Sequence, residues 1–275
     1  MKKEIIALIG CGNMGMSLLA GLIHDGYPAD NIWVSAPTLS KLNLLKEKFS
    51  IHITTQNEEA VRAADVVIFA VKPQILHHVT REVSAAAQNK KPLIISIAAG
   101  VTEKNLQKEL GNHSLSIVRA MPNTPVMIGC GATGLFANSF VSKKQHEIAE
   151  SIFRSVGVIA WLEEENLLNA VTALSGNGPG YFFLMMEALE DAAVTLGLSK
   201  KIAHLLLLQT AYGASRMALE SSEELSELRR HVTSPGGATE QAIRVFEEKN
   251  IREIFLHALQ AAEKRLNELA NQKLL

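Results

Sequence analysis

Cysteine is nearly absent from this chain: Cys11 and Cys130 are the 2 it has in 275 residues. That count excludes a disulfide framework and leaves no cysteine-based metal motif, so no metal is expected. Long apolar runs are absent too, so no stretch is expected to span a bilayer. The net charge is close to nil, −1 at pH 7. Nothing in that balance advertises nucleic acid or an anionic membrane as a partner. The N-terminus reads as strand almost at once, leaving no room for a signal peptide. With so few cysteines, a reducing, cytoplasmic setting is expected. Internal repeats and low-complexity segments are missing as well. What is plentiful is apolar side chains, 47% of the total, enough to build a sizeable core.

The apolar run Ile5–Ile9 breaks into Gly10-Cys11-Gly12-Asn13-Met14-Gly15. This reads as a buried strand, a G-x-G-x-x-G turn, and a helix from about Met14. Such a junction grips the pyrophosphate of a dinucleotide. Gly10 permits the tight turn, Gly12 admits the phosphates, and Gly15 lets helix and strand pack closely. Free N–H groups at the helix start face the anion. Cys11 reads as a small filler within the turn. A glycine-rich turn alone is weak, but the flanking strand and helix supply the context that a cofactor role requires.

Strand and helix patterns alternate over residues 1–162, predicting a Rossmann-type doubly wound parallel sheet. Val66–Val71 reads as a fully buried parallel strand by its unbroken apolar run, and Pro73 stops it. From residue 163 strand signals vanish, and 163–275 reads as an all-α dimerisation domain. Ser199 and Thr239 sit near helix starts, and Gly197 suits a C-terminal cap. Ile202–Leu208 is apolar around most of the helix circumference, so a partner subunit is expected to cover it.

NAD binders usually end the second strand with an acid that holds the ribose 2′-hydroxyl. Here Ser35-Ala36-Pro37-Thr38-Leu39-Ser40-Lys41 has none. Hydroxyls and Lys41 are available for a 2′-phosphate, so NADPH is favoured, with NADH possible. Four further segments invite a chemical reading. Ala70-Val71-Lys72-Pro73 ends a strand where loops meet the cofactor. Arg119–Pro125 ends another and is stiffened by its prolines. Ser175–Tyr181 and Thr233–Thr239 open helices with small residues, and such starts suit a carboxylate. Each alone is equally a capped turn between helices.

Together and in this order, Met121-Pro122-Asn123-Thr124-Pro125, Ser175-Gly176-Asn177-Gly178-Pro179 and Ser234-Pro235-Gly236-Gly237-Ala238-Thr239 resemble the pyrroline-5-carboxylate reductases. The resemblance runs over nearly the whole chain. It implies reduction of 1-pyrroline-5-carboxylate, a cyclic imino acid, to L-proline, with a homodimer or a larger homo-oligomer such as a decamer. It implies that Ile9, Gly10, Cys11, Gly12, Asn13 and Met14 hold the pyrophosphate, with Ser35 and Ala36 near the 2′ position. It places Asn57 on the adenosine side, and Val71, Lys72, Pro73 and Ala99 along the cofactor. Glu165, at the domain junction, falls near the substrate. Ser234, Gly237, Ala238 and Thr239 bind it, with Thr239 facing the ring nitrogen as the catalytic residue. Ala36, His231, Asn177 and Gly180 depart from the residues more usual in the family.

Several tempting groups take bland readings. His77 and His78 read as a solvated helix edge, His204 as a packed helix residue, and Glu163 and Glu164 as a charged helix start. A 3-hydroxyacid dehydrogenase on the same plan would rely on a helical-domain lysine, and Ser175–Tyr181 offers none. A cofactor-binding regulator would have no reason to keep Ser234–Thr239.

Overall fold

Every residue of Ile6–Ile9 is fully buried, because this strand (β1) is covered on both faces. Ile6 and Leu8 enter one hydrophobic core, and Ala7 and Ile9 enter another on the opposite face. That alternation is the two-residue period of a strand in a sheet with helices above and below. The computed structural model describes residues 3–111 and 114–271.

The remaining strands are β2 (Ile32–Ser35), β3 (His52–Thr54), β4 (Val66–Phe69), β5 (Leu93–Ser96), β6 (Ile117–Met121), β7 (Gly131–Ala137) and β8 (Gly157–Trp161). They form a single sheet in the order β3-β2-β1-β4-β5-β6-β7-β8. The order reverses between β1 and β4, which is the crevice where such sheets bind ligands. The helices of this part are α1 (Asn13–His24), α2 (Leu39–Phe49), α3 (Asn57–Ala63), α4 (Pro73–Lys90), α5 (Glu103–Glu109) and α6 (Lys143–Arg154). In α1, Leu18, Leu19 and Leu22 are wholly buried against the sheet. Each such leucine stabilises the fold by about 2 kcal/mol.

One pairing within this doubly wound sheet is antiparallel, that of β6 with β7. The link from Met121 to Gly131 is a 3-10 turn at Thr124–Ile128. It is too short for the helical crossover that a parallel neighbour needs.

Beyond β8 the described chain is helical: α7 (Leu167–Val171), α8 (Gly178–Thr195), α9 (Lys200–Glu220), α10 (Leu225–His231), α11 (Ala238–Glu248) and α12 (Ile251–Asn271). Asn166–Leu174, which reads from sequence as one helix, is instead α7 followed by a π-helical turn at Thr172–Gly176. Ser199 caps α9 by accepting from the Ile202 N–H, and Gly197 takes φ +104° between α8 and α9.

The chain divides into two compact units. The first ends at Pro179 and takes up the chain again from Ala261, so it holds the sheet, α7 and the end of α12. The second is Gly180–Gln260. In this second unit apolar side chains stand exposed, among them Leu205, Leu206, Tyr212 and Met217. His204 is exposed too, paired through Nδ1 with Glu190 at 2.6 Å, rather than packed among its leucine neighbours. Among the described residues no helix is long and apolar enough to cross a membrane.

Candidate active site

The glycine turn sits at the end of β1, beside the end of β4. Gly10 N–H donates to Ser35 O at 2.8 Å, and Ala70 N–H donates to Ile9 O at 2.8 Å. Gly10 has φ +96°, which L side chains rarely adopt. A Cβ there would also lie 2.6 Å from Val71 Cγ1 and 2.8 Å from Ala70 O. Gly15 packs its Cα face onto Gly10 O, with 2.8 Å to the position a Cβ would take. A Cβ on Gly12, by contrast, would meet nothing within 4 Å.

Gly12 is also the N-cap of α1. No side chain caps this helix, and its first turn holds no acid. The first N–H groups therefore have no partner within the helix, and the positive end of the dipole stands uncompensated. An open space above Gly12 and an uncapped helix start fit a dinucleotide pyrophosphate. Cys11 does not oppose it. Burial pushes its thiol up to about 11, so it is neutral at pH 7, and its Sγ lies 3.0 Å from Met16 Sδ.

The structure brings Ile9–Met14, Ser35, Asn57 and Val71 together at this edge of the sheet. Ser35 is buried, and its hydroxyl donates to Asn57 Oδ1 at 2.7 Å. Asn57 Nδ2 in turn donates to Glu82 Oε2 at 2.9 Å. The Ser35 hydroxyl is thus engaged within the fold, and the polar groups exposed beyond β2 are Thr38, Ser40 and Lys41. They lie at the start of α2, which has no side-chain cap and no acid in its first turn. Ala36 is half-buried, with its N–H on Thr54 O at 3.3 Å. Lys72 is exposed as the N-cap of α4, and Pro73 opens that helix. Ala99 follows β5 on the same edge.

Glu165 is more than part of a charged helix start. Its Oε1 accepts from the Glu103 N–H at 2.6 Å and from Arg119 Nη1 at 3.1 Å. Arg119 is 4% exposed on β6, and its Nη2 donates to Ala98 O at 3.2 Å. Burial pulls its guanidinium down from its ordinary value, and Glu165 beside it offsets part of that shift. Arg119 therefore joins the strand end before Ala99 to the carboxylate of Glu165. The sequence places it at the head of the Arg119–Pro125 segment but gives it no role of its own. The available signal was a lone arginine closing the apolar strand that begins at Ser116.

Ser234, Gly237, Ala238 and Thr239 lie in the second unit, at the start of α11. Gly237 is the N-cap, without a side-chain cap. Its own N–H closes onto Ser234 O at 2.9 Å, and the Gly236 N–H donates to Glu240 Oε2 at 2.7 Å. Ala238 and Thr239 fill the exposed first turn, where backbone N–H groups lack partners within the helix.

His77 is not simply solvated: its Nδ1 lies 3.0 Å from Glu109 Oε1, and Thr80 Oγ1 donates to Glu109 Oε2 at 2.8 Å. This polar knot ties α4 to α5. Among the described residues no group of His, Cys, Asp and Glu side chains could hold a metal ion.

A curated pyrroline-5-carboxylate reductase of Pseudomonas aeruginosa is 46% identical over 272 residues, covering 99% of this chain and 99% of its own. The chain belongs to the pyrroline-5-carboxylate reductase family. The family model described as pyrroline-5-carboxylate reductase dimerisation matches residues 165–269. A second, described as NADP oxidoreductase, coenzyme F420-dependent, matches residues 5–100. The solved pyrroline-5-carboxylate reductase of Coxiella burnetii shares 48% identity at a TM-score of 0.92, covering 98% of this chain and 99% of its own. The Plasmodium falciparum pyrroline carboxylate reductase, solved with NADP bound, shares 29% identity at a TM-score of 0.88, covering 98% and 100%. Within the pyrroline-5-carboxylate reductase family this chain thus uses NAD(P)H and forms homo-oligomers.

Proposed function

We propose that two uncapped helix starts, at Gly12 and at Gly237, divide the binding work of a reductase between them. The reaction is the reduction of 1-pyrroline-5-carboxylate to L-proline by hydride transfer from NAD(P)H. The nicotinamide supplies the hydride when bound, and the protein orients and excludes water. The observation that carries the cofactor half is the turn at Gly10–Gly15. It joins a positive φ, open space over Gly12 and a helix start with no competing acid.

In this reading Ile9, Gly10, Cys11, Gly12, Asn13 and Met14 hold the pyrophosphate. Asn57 lies on the adenosine side, held by Ser35, with Ala36 close to the 2′ position. Val71, Lys72, Pro73 and Ala99 flank the cofactor toward its reactive end. The exposed Thr38, Ser40 and Lys41, with no acid among them, support NADPH over NADH. Ala238 and Thr239 give backbone N–H groups to the substrate carboxylate, and Ser234 and Gly237 shape that turn. The Thr239 hydroxyl faces the ring nitrogen. A protonated imine is the better hydride acceptor, so the site needs a hydrogen-bond partner there rather than a strong acid. Glu165, whose side-chain bonds both fall on Oε1, is read as a substrate-side group.

Residues 1–162 are assigned to the cofactor and 163–275 to substrate and dimerisation. The exposed apolar side chains of α9 support a homodimer or a larger homo-oligomer such as a decamer. The near-zero charge supports neither nucleic acid nor membrane as a partner, and the low cysteine count supports a cytoplasmic setting.

The test is oxidation of NADPH by the purified chain with 1-pyrroline-5-carboxylate, against 2-ketoacid controls and against NADH. Turnover with the imino acid alone is expected, and turnover with only the ketoacids would overturn the reading. Thr239→Ala is expected to lower kcat by at least about tenfold, since orientation accounts for much of the acceleration. NADPH affinity, measured by fluorescence titration, should stay within about twofold of the unaltered chain, because uniform cofactor binding is untouched. Unchanged kcat in the variant would remove Thr239 from the mechanism.

A further inference from the structure

The segment Ser175–Tyr181 carries no role in the assignments above, yet its first carbonyl is held in an unusual way. Four residues after Ser175 stands Pro179, which has no N–H to give back to the Ser175 carbonyl. An ordinary helical turn would leave that oxygen an orphan. It is taken instead by Asn123, whose Nδ2 donates to Ser175 O at 3.1 Å. The other end of the same amide, Oδ1, accepts from the Ala132 N–H at 2.9 Å. Asn123 itself is buried, 7% exposed, while its two partners are half-buried.

The turn that Asn123 grips is the π-helical one. Asn177 N–H reaches Thr172 O at 2.9 Å, one residue further than an α-helix allows. Single π turns of this kind are frequent at functional sites. Each residue inserted or removed turns the following helix by about 100°. The widened register therefore decides how α7 is presented relative to the residues after it.

Asn123 does not act alone. Arg119, Met121 and Asn123 alternate along β6 and its extended continuation, so they share one face. Arg119 holds Glu165 and Asn123 holds Ser175. Between them Met121 Cγ lies 3.8 Å from where a Cβ on Gly176 would stand. The stretch from Glu165 to Gly176 is thus fastened at both ends to a single strand face. The same face reaches Ala98, next to Ala99.

We propose that Asn123 is a positioning residue for the reductase: it keeps the turn at Thr172–Gly176 in its π register, and so keeps Glu165 in place for the imino acid. The inference rests on the reading of Glu165 as a substrate-side group. Asn123→Asp is nearly isosteric. It keeps the acceptor for Ala132 N–H and replaces the donor to Ser175 O with an oxygen.

Steady-state kinetics on the full chain with 1-pyrroline-5-carboxylate and NADPH give the test. Asn123→Asp is expected to raise KM for the imino acid by about tenfold, as a small misplacement of a binding group does. KM for NADPH should stay within about twofold. Pro179→Ala then restores a donor at the position that closes an α turn. In the double variant Tm is expected to return toward that of the unaltered chain while KM for the imino acid stays raised. A merely structural role would let KM recover together with Tm, and that result would overturn the proposal. So would an unchanged KM in Asn123→Asp. Should Asn123→Asp not fold, Pro179→Ala alone decides: its α-turn donor competes with Asn123, so KM should rise without loss of Tm, and an unchanged KM counts against the inference. If the unaltered chain shows no turnover with the imino acid, the reductase reading itself falls, and this inference with it.

Discussion

Gly10→Ala is expected to weaken NADPH binding by at least about a hundredfold and to lower Tm as well. A residue with a side chain held at a disfavoured positive φ costs about 1–3 kcal/mol. Here the added methyl also meets Val71 Cγ1 at 2.6 Å and the Ala70 backbone at 2.8 Å. Relief requires β1 to part from the β4 end, which moves the turn that cradles the pyrophosphate. Gly12→Ala is the informative control. Its methyl would enter open space, with nothing within 4 Å, so Tm should hold. NADPH affinity should still fall, because that space is where the phosphates approach. Isothermal titration with NADPH and thermal unfolding of both variants check the pair. If Gly12→Ala binds NADPH as tightly as the unaltered chain, the pyrophosphate does not lie over Gly12.

The second large effect is expected at Arg119. Arg119→Met keeps most of the side-chain volume but removes the donors to Glu165 and Ala98 O. Removing one partner of a buried ion pair costs about 3–5 kcal/mol, because the other charge is left uncompensated. Glu165 keeps some contact with water and its bond from the Glu103 N–H, so the lower end of that range applies. Denaturant unfolding should show a shift of about 3 kcal/mol. KM for the imino acid should rise more than KM for NADPH, since Glu165 loses its anchor while the glycine turn is untouched. A stability within about 0.5 kcal/mol of the unaltered chain, the range of ordinary surface substitutions, would show that the pair is not structural.

These two residues differ in how well the sequence announces them. Gly10 could be read because its neighbours are local: an apolar run before it, glycines after it, a helix beyond. Arg119 could not, because Ala98 and Glu165 come from other parts of the chain and meet it only once β5 and β6 are paired. Asn123 escaped for the same reason, its partners Ala132 and Ser175 lying on β7 and in the π turn. The alternation of strands and helices predicted the sheet. The direction of β7 is set by the short link at Thr124–Ile128, which strand patterns do not reveal. Periodicity likewise reads a helix at Asn166–Leu174 but not its widening, since the π turn begins only at Thr172, where that stretch is about to end. The sequence shows Ser35 as a hydroxyl at the strand end, and it stands there. Its engagement by Asn57 depends on the β2–β3 pairing and the placement of α3.

The exposed leucines of α9 bear on how this protein should be handled at the bench. Leu205 is 68% and Leu206 55% exposed in a single chain, so in the proposed homodimer part of the folding free energy is realised only when copies associate. Unfolding is then coupled to dissociation, and the melting temperature becomes a function of protein concentration. Serial dilution from micromolar to nanomolar should lower Tm progressively, read by a fluorescence melt. On that reading dilution acts, for this chain, as a mild denaturant.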